Sequence, residues 1–375
     1  VVFSITLVAL SLASNQYTSR VLNNFMNDRL NQAVLGVFLG IFVYCLIVIR
    51  TIREGEEGTF VPSISVFAGM VFGLAGIGFL VLFIHHISVS IQASQIIADI
   101  TEETLESIDP LFQPADNDED DELKSRVEDL PQQGWRVVNA AGTGYLQQVD
   151  SAALLQLAVE RKMLIRMEKS VGDFVIRETP VACVHFEDDP DEKALGEIGS
   201  GYSVGRRRTV EQDAEFGIRQ LVDIALKALS PGINDTTTAI MCIHYLTAIG
   251  VSLAGRRISQ RFREKNGRLR VIIKGPTFAS LTGKCFDQIL ENSGGNQAVL
   301  KSLLDGLGTI GEQTSSGSRR RVLLSKVGGV IEQARRTIPG ADALRQIEER
   351  SRQVVAALTL GGPSVRESFA ASRSR

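Results

Sequence analysis

Residues Phe60–Ile84 read FVPSISVFAGMVFGLAGIGFLVLFI, twenty-five positions without an ionisable side chain. A helix of that length crosses the roughly 30 Å of hydrocarbon in a bilayer, so the stretch reads as a membrane span. Beyond it, His85 and His86 mark where the run turns polar, yet no Asp, Glu, Lys or Arg appears before Asp99. Ser88, Ser90, Gln92, Ser94 and Gln95 make this continuation amphipathic. One continuous helix from Pro62 to about Ser107 would measure roughly 70 Å, more than a bilayer. The expectation is a span that leaves the membrane as an extended helix. On the other side, Glu54–Gly58 is a short polar turn, and Ala33–Ile49 is an uncharged run closed by Arg50 and Arg53. That run is at the lower limit for a span, which snorkelling arginines extend. Tyr17–Gln32 is polar and reads as a loop or interfacial helix. Val1–Ala13 is apolar but too short to span alone, and is expected to be the second half of a helix that begins upstream.

The whole chain of 375 residues is 44% hydrophobic and 22% charged, with a net charge of -3. Its mean hydropathy of +0.08 is high for a soluble domain and conceals a mixture. Up to Ala98 the charges balance; Asp99–Asp129 carries a net of -11; Leu130 to the end carries +8. An apolar head, an acidic strip and a basic body exclude a plain soluble globule, a disordered chain and a fully embedded transporter. Four scattered cysteines without a CxxC pair argue against a disulfide framework and for a reducing compartment. That places the large C-terminal part in the cytoplasm and the Glu54–Gly58 turn outside, since arginines occur in both loops and give no vote of their own.

Gly69, Gly73, Gly76 and Gly78 put small residues on adjoining faces of the last span and permit close helix contact. With His85 and His86, Gly69, Gly73 and Gly76 are the candidate pore or subunit-interface residues. Adjacent helical positions point about 100° apart, so the two histidines are poorly placed to chelate a metal.

The remaining chain divides as follows. Residues 1–108 hold the transmembrane helices with their extension, and 109–130 form an acidic linker centred on Asn117–Glu122, which lacks the glycine of an EF-hand loop. Residues 131–210 read as a β-rich module, with strands at Trp135–Asn139, Tyr145–Val149, Met163–Met167 and Thr179–Val184 and a helix over Ser151–Lys162 capped by Ser151. Its rhythm resembles half of a lipoyl-like barrel without the lysine that would carry a prosthetic group. Gly199–Gly205 lacks the Lys-Ser/Thr ending of a phosphate loop, and Tyr202–Thr209 reads as a strand bearing Arg206, Arg207 and Arg208.

Residues 211–275 give a helix over Glu211–Leu229 with an Asp223–Lys227 pair, a stop at Ser230-Pro231-Gly232, and a second helix to about Ala248, capped by Asn234 or Asp235 and followed by Gly250. A basic strand follows at Leu269–Lys274. Arg206, Arg207, Arg208, Arg256, Arg257, Arg261 and Arg263 are the candidate contacts for an anion or anionic lipid. Nucleic acid is the rival, but only Phe262 interleaves as an aromatic. Residues 276–360 read as four helices, and 361–375 as a disordered tail.

The stretches Gly205–Thr209 (GRRRT), Glu211–Gly217 (EQDAEFG) and Ala228–Asp235 (ALSPGIND) closely resemble a family of bacterial predicted membrane proteins, the domain of unknown function 2254 group. Asp28-Arg29, Leu35–Gly40, Phe83–Ile87 and Gly172–Val175 look like its other recurrent segments. The likeness covers nearly the whole chain. In the family the position after Asp235 is often Pro, and here it is Thr236. The resemblance implies a further N-terminal segment and about four spans in all, and it brings no catalytic residues.

No nucleophile with its base, no metal-ligand spacing and no cofactor loop is present in the sequence. The expectation is therefore a non-enzymatic protein without cofactor or metal. Its fold is a multi-pass all-α membrane anchor plus a soluble α+β domain with a small β-rich module and a C-terminal helical region. Its partners are the inner-membrane bilayer and further copies of itself. The first functional reading is an oligomeric channel- or transport-like protein. The second is a membrane-tethered sensor or scaffold that binds a partner, an anionic lipid or a small anionic ligand through its basic domain.

Overall fold

A computed structural model describes residues 29–55, 58–90, 92–114, 130–188, 192–210, 212–258 and 261–360. The Val1–Ala13 run, the acidic centre at Asn117–Glu122 and the 361–375 tail lie outside the described residues. The chain forms two compact units, residues 1–98 and 99–375.

In the first unit, α1 (Arg29–Thr51) and α2 (Ser63–Ser90) are joined through a two-stranded hairpin, β1 (Arg53–Gly55) and β2 (Gly58–Phe60). The helices pack as an antiparallel pair. Tyr44 meets Phe72 edge-to-face at 5.1 Å and donates a hydrogen bond to the Ser65 carbonyl at 3.0 Å. Gly76 lies against Ile41, and Val34 packs with Phe83 and Ile87. Most other side chains remain exposed, among them Leu39, Phe42, Ile64, Phe67, Leu74 and Leu82. So much exposed apolar surface on two long helices is what a lipid environment accommodates.

The expected continuous helix is instead two helices. After α2 ends at Ser90, α3 runs over Ala93–Leu111, with Pro110 in its last turn. Helix over Asp99–Ser107 is as expected, and it runs on to Leu111, three residues into the segment expected as linker. Thr101, Thr104, Ser107, Ile108 and Phe112 are buried.

In the second unit a five-stranded sheet has the order β3 (Trp135–Asn139), β7 (Pro180–Phe186), β5 (Met163–Met167), β10 (Arg268–Ile273), β9 (Arg261–Lys265). Among the described strands only β5 and β10 pair in parallel. A three-stranded sheet has the order β6 (Phe174–Val175), β4 (Gly144–Val149), β8 (Tyr202–Gly205). Alternation on these strands sends Leu146, Met163, Ile165, Val175, Val184 and Val271 into one core, closed by Leu154 and Ala158 of α4 (Ser151–Glu160). Asp150, not Ser151, caps α4, its carboxylate accepting from the Ala152 and Ala153 amides at 3.0 Å. One mixed and one antiparallel sheet stand in place of the expected half-barrel. The basic strand expected with the helix pair belongs to the sheet of the β-rich module. The strand beginning at Tyr202 ends at Gly205, four residues before Thr209.

Between β7 and β8 lies the short α5 (Glu192–Glu197). The helical layer comprises α6 (Ala214–Leu229), α7 (Thr236–Ala254), α8 (Phe278–Glu291), α9 (Gln297–Glu312), α10 (Gly317–Thr337) and α11 (Ala341–Leu360). Among the described residues, three helical stretches are long and apolar enough to cross a membrane: Gln32–Thr51, Ser63–Ser90 and Thr236–Ala254. The third is α7, whose face of Ala239, Cys242, Ile243, Leu246, Ile249 and Leu253 is buried among its neighbours. Its apolarity is consumed by packing within the α+β unit.

Gly250 was expected to follow this helix and instead lies inside it. A Cβ there would stand 2.5 Å from Ile310 of α9, while Thr247 of α7 fills the space left by Gly306. The two helices interlock through these reciprocal vacancies. Arg319 covers the end of α7, donating to the Ala254 carbonyl at 2.6 Å and to the Arg256 carbonyl at 2.5 Å.

Gly250→Val forces atoms into Ile310 and is expected to destabilise the unit by about 1–3 kcal/mol, the usual range for overpacking. Thermal unfolding of the detergent-solubilised chain measures this, and adding Ile310→Ala should return part of the loss.

Candidate functional site: a buried ion pair beside a cleft

The loop from β8 to α6 turns on one side-chain pair. Arg208 donates to Asp213 through Nε at 2.7 Å and through Nη2 at 2.8 Å, a two-point guanidinium–carboxylate contact. Asp213 also accepts from the Phe216 amide at 3.2 Å, so it caps α6 while holding the arginine. The guanidinium lies 5.5 Å over the Phe216 ring. Asp213 is only 3% exposed. Burial pushes its carboxyl up from 3.8 to about 6, against the opposing pull of Arg208.

A glycine makes room for this pair. Gly172 has φ +92, and a Cβ there would lie 2.4 Å from Asp213 Oδ2 and 2.7 Å from Arg208 Nη2. Only glycine satisfies both the left-handed turn and the close approach. The Gly172 amide donates to the Leu146 carbonyl at 2.8 Å and the Leu146 amide donates to the Asp173 carbonyl at 2.9 Å, which fastens the turn to β4. Gln212 accepts from the Val149 amide at 3.2 Å.

Beside the pair opens a cleft lined by Leu111 and Phe112 at the end of α3, Val149, Ser170, Gln212, Asp213, Glu215, Lys274 and Leu281. Glu215 pairs with Lys284, and Lys274 donates to the Glu168 carbonyl at 3.4 Å. The arrangement joins four segments at one charged contact. Its carboxylate is already committed to a cation and a helix terminus, which suits it to transmit position rather than to exchange protons with a substrate. Among the described residues no group of three His, Cys, Asp or Glu could hold a metal ion.

The glycines of the span divide. Gly76 and Gly69 face α1, a Cβ at Gly69 standing 3.6 Å from Tyr44, while Gly73 and Gly78 face open space. His85 is exposed and His86 half-buried, with Nε2 3.4 Å from Ser90 Oγ.

Two of the candidate anion-contact arginines are engaged internally, which corrects their reading. Arg208 holds Asp213, and Arg256 binds Asp109 and donates to the Phe112 carbonyl at 2.9 Å. The Arg257 amide donates to the Gln113 carbonyl at 2.7 Å, which holds the described residues just after α3. Arg206, Arg207 and Arg257 are exposed, Arg263 is half-buried, and the Arg261 side chain lies outside the description.

In the turn between α6 and α7, Ser230 Oγ donates to the Lys227 carbonyl at 2.6 Å, and Asp235 accepts from the Thr238 amide at 3.0 Å. Pro231 and Gly232 are exposed. The left-handed residue is Asn234 (φ 51), not Gly232. Asp235 is the cap of α7. Asp223 pairs back to Arg219 at 2.8 Å rather than forward to Lys227.

Sequence reasoning missed Asp213. Its signal was Asp followed by an apolar-periodic run, the pattern of an N-cap: the helix starts at Ala214, three residues later than the expected Glu211.

Comparison with known proteins gives a consistent picture. The family model described as "Predicted membrane protein (DUF2254)" matches residues 1–309. Uncharacterized proteins of Mycobacterium bovis and Mycobacterium tuberculosis are 31% identical over 349 residues, 90% of this chain and 65% of theirs. The chain thus spans less than two thirds of the length of these curated relatives. No solved structure matches it.

Arg208→Ala strands a buried carboxylate and should cost about 3–5 kcal/mol at neutral pH, most of it recovered by adding Asp213→Asn. Because the folded pKa of Asp213 is raised, its protonated form stabilises the fold: the contribution is full below about 3.8 and is lost as pH rises through about 6. Stability measured across that window should therefore fall more steeply in the native chain than in Asp213→Asn.

Proposed function

This chain belongs to the DUF2254 family of predicted membrane proteins, and from that premise we propose that it is a membrane-tethered sensor or scaffold rather than an enzyme. The membrane hairpin anchors it, and the α+β unit, facing the cytoplasm of a bacterial inner membrane, carries the interaction. Four free cysteines support the reducing compartment.

One observation carries the reading. The helix that continues from the span, α3, is locked into the α+β unit at the candidate site. Thr104 occupies the space that a side chain at Gly217 of α6 would need, its Oγ1 standing 1.8 Å from where a Cβ would be. Four residues before Gly217, Asp213 starts the same helix, and Leu111 and Phe112 line the cleft beside it. Whatever shifts the Arg208–Asp213 contact therefore acts on α3, and α3 leads directly to the anchor.

The channel reading draws on the open faces at Gly73 and Gly78, where a second copy would fit. The tether is preferred because every side chain from Val66 to Ile84 is apolar, which leaves α2 no polar stripe to line a water-filled path.

The full chain in liposomes is expected to pass no more ions than empty vesicles do, and flux above that background overturns the tether reading. Hydrogen exchange at neutral pH should be faster at the α3 amides in Asp213→Asn than in the native chain. Unchanged exchange over residues 99–111 overturns the relay.

A further inference from the structure

We propose that the β4–β6 end of the three-stranded sheet is a lipid-docking tip, which seats the α+β unit on an anionic bilayer surface. It is separate from the ion-pair cleft and does not depend on the relay.

Tyr145 of β4 lies directly opposite Phe174 of β6 on one side and opposite Gly205 of β8 on the other. Residues directly opposite project to the same face of a sheet, so the two aromatics share a face on which Gly205 adds no side chain. Their rings meet edge-to-face at 5.1 Å. The neighbours Leu146 and Val175 turn the other way, into the core. Phe174 is nonetheless 52% exposed, and Ile176 beyond it is 54% exposed. These large apolar side chains are held at the surface by a strand whose alternate residue is anchored inside.

Charge surrounds them. Arg177 directly follows Ile176, and its amide donates to Thr143 Oγ1 at 3.0 Å, which ties it to the turn before β4. Arg206 and Arg207 directly follow Gly205, and the Arg207 carbonyl accepts from Gln147 Nε2 of β4 at 2.6 Å. All three arginine side chains are exposed. Of the acidic residues in this turn, Asp173 is drawn back to accept from the Ser170 amide at 2.9 Å, and Glu178 is exposed. The tip is therefore net cationic around an apolar centre.

That combination fits the head-group layer: aromatic and aliphatic side chains enter the acyl boundary while guanidinium groups meet lipid phosphates. The favoured occupant is a bilayer because this chain carries its own spans. A tethered domain meets the membrane at high effective concentration, so a small patch suffices where a free protein would need a larger one.

The test uses the full chain with Cys45→Ala and Cys183→Ala, labelled with an environment-sensitive dye at Phe174→Cys or, in the helical layer, at Glu312→Cys. Each is reconstituted into phosphatidylcholine vesicles with and without phosphatidylglycerol. The dye at 174 should shift to the blue and be quenched by bromine-labelled lipid in anionic vesicles, and the dye at 312 should not. Arg177→Gln, Arg206→Gln and Arg207→Gln together should lower the docked-to-free ratio on the order of 100-fold. Raising the salt should do the same in the unsubstituted tip, without any risk of misfolding. A dye at 174 that lipid quenchers never reach overturns the proposal. So does a blue shift that grows with protein density but ignores the quencher, which would make the occupant a second copy.

Discussion

Two helices approach most closely where a side chain is missing, and α3 meets α6 at such a place. The vacancy at Gly217 is filled by Thr104, whose hydroxyl already donates to the Ile100 carbonyl within its own helix at 2.6 Å. The contact is therefore one of shape, with no polar group left to satisfy. It fixes where the end of α3 lies. From there Leu111 and Phe112 reach the cleft at Asp213, and Asp109 meets Arg256 just after α7. A strand-like bridge between Pro114 and Arg256 continues the same seam. A helix that would otherwise be a free stalk becomes part of the core it leads to.

The basic character of the C-terminal body looks different once its arginines are located. Arg208 caps no helix itself but holds the residue that does. Arg270, nearly buried, pairs with Glu187 at 2.8 Å, and Arg319 and Arg320 donate to carbonyls at the end of α7 and before α10. Several arginines are thus engaged by carboxylates, of which Asp213 is buried, and by helix and loop carbonyls, where five donors in a rigid fork do what lysine cannot. Other arginines are exposed, and among these Arg177, Arg206 and Arg207 lie near the exposed apolar side chains Phe174 and Ile176.

Local features were legible in the sequence, and long-range partners were not. The four C-terminal helices follow from their apolar periodicity and caps, such as Thr277 and Asn296, because those signals lie within a few residues of what they control. The parallel pairing of β5 with β10 joins segments about a hundred residues apart, and nothing in the alternation of either strand names its partner. Arg208 could be seen as a cation with something to bind, but its ligand depends on Gly172 bringing a distant turn against it. Gly250 misled for a related reason. Glycine marks a helix end in a local reading, whereas here it marks the neighbour's approach.

The segments that carry the family likeness meet this same distinction. Gly172–Val175, Gly205–Thr209 and Glu211–Gly217 come together around the Arg208–Asp213 contact, and Ala228–Asp235 builds the turn between α6 and α7. What these stretches supply is mainly backbone geometry: a left-handed glycine, a left-handed asparagine, two capping aspartates and a glycine that admits a neighbouring helix. A reaction centre would instead need side chains held unengaged toward a substrate, with a base placed beside a nucleophile. Here the carboxylates of Asp213 and Asp235 are taken up by an arginine or by helix amides. Such a set fixes the relative position of a sheet turn, a helix start and the helix leading to the membrane. A protein that works by holding and shifting those positions needs that set, which supports the sensor or scaffold reading we propose.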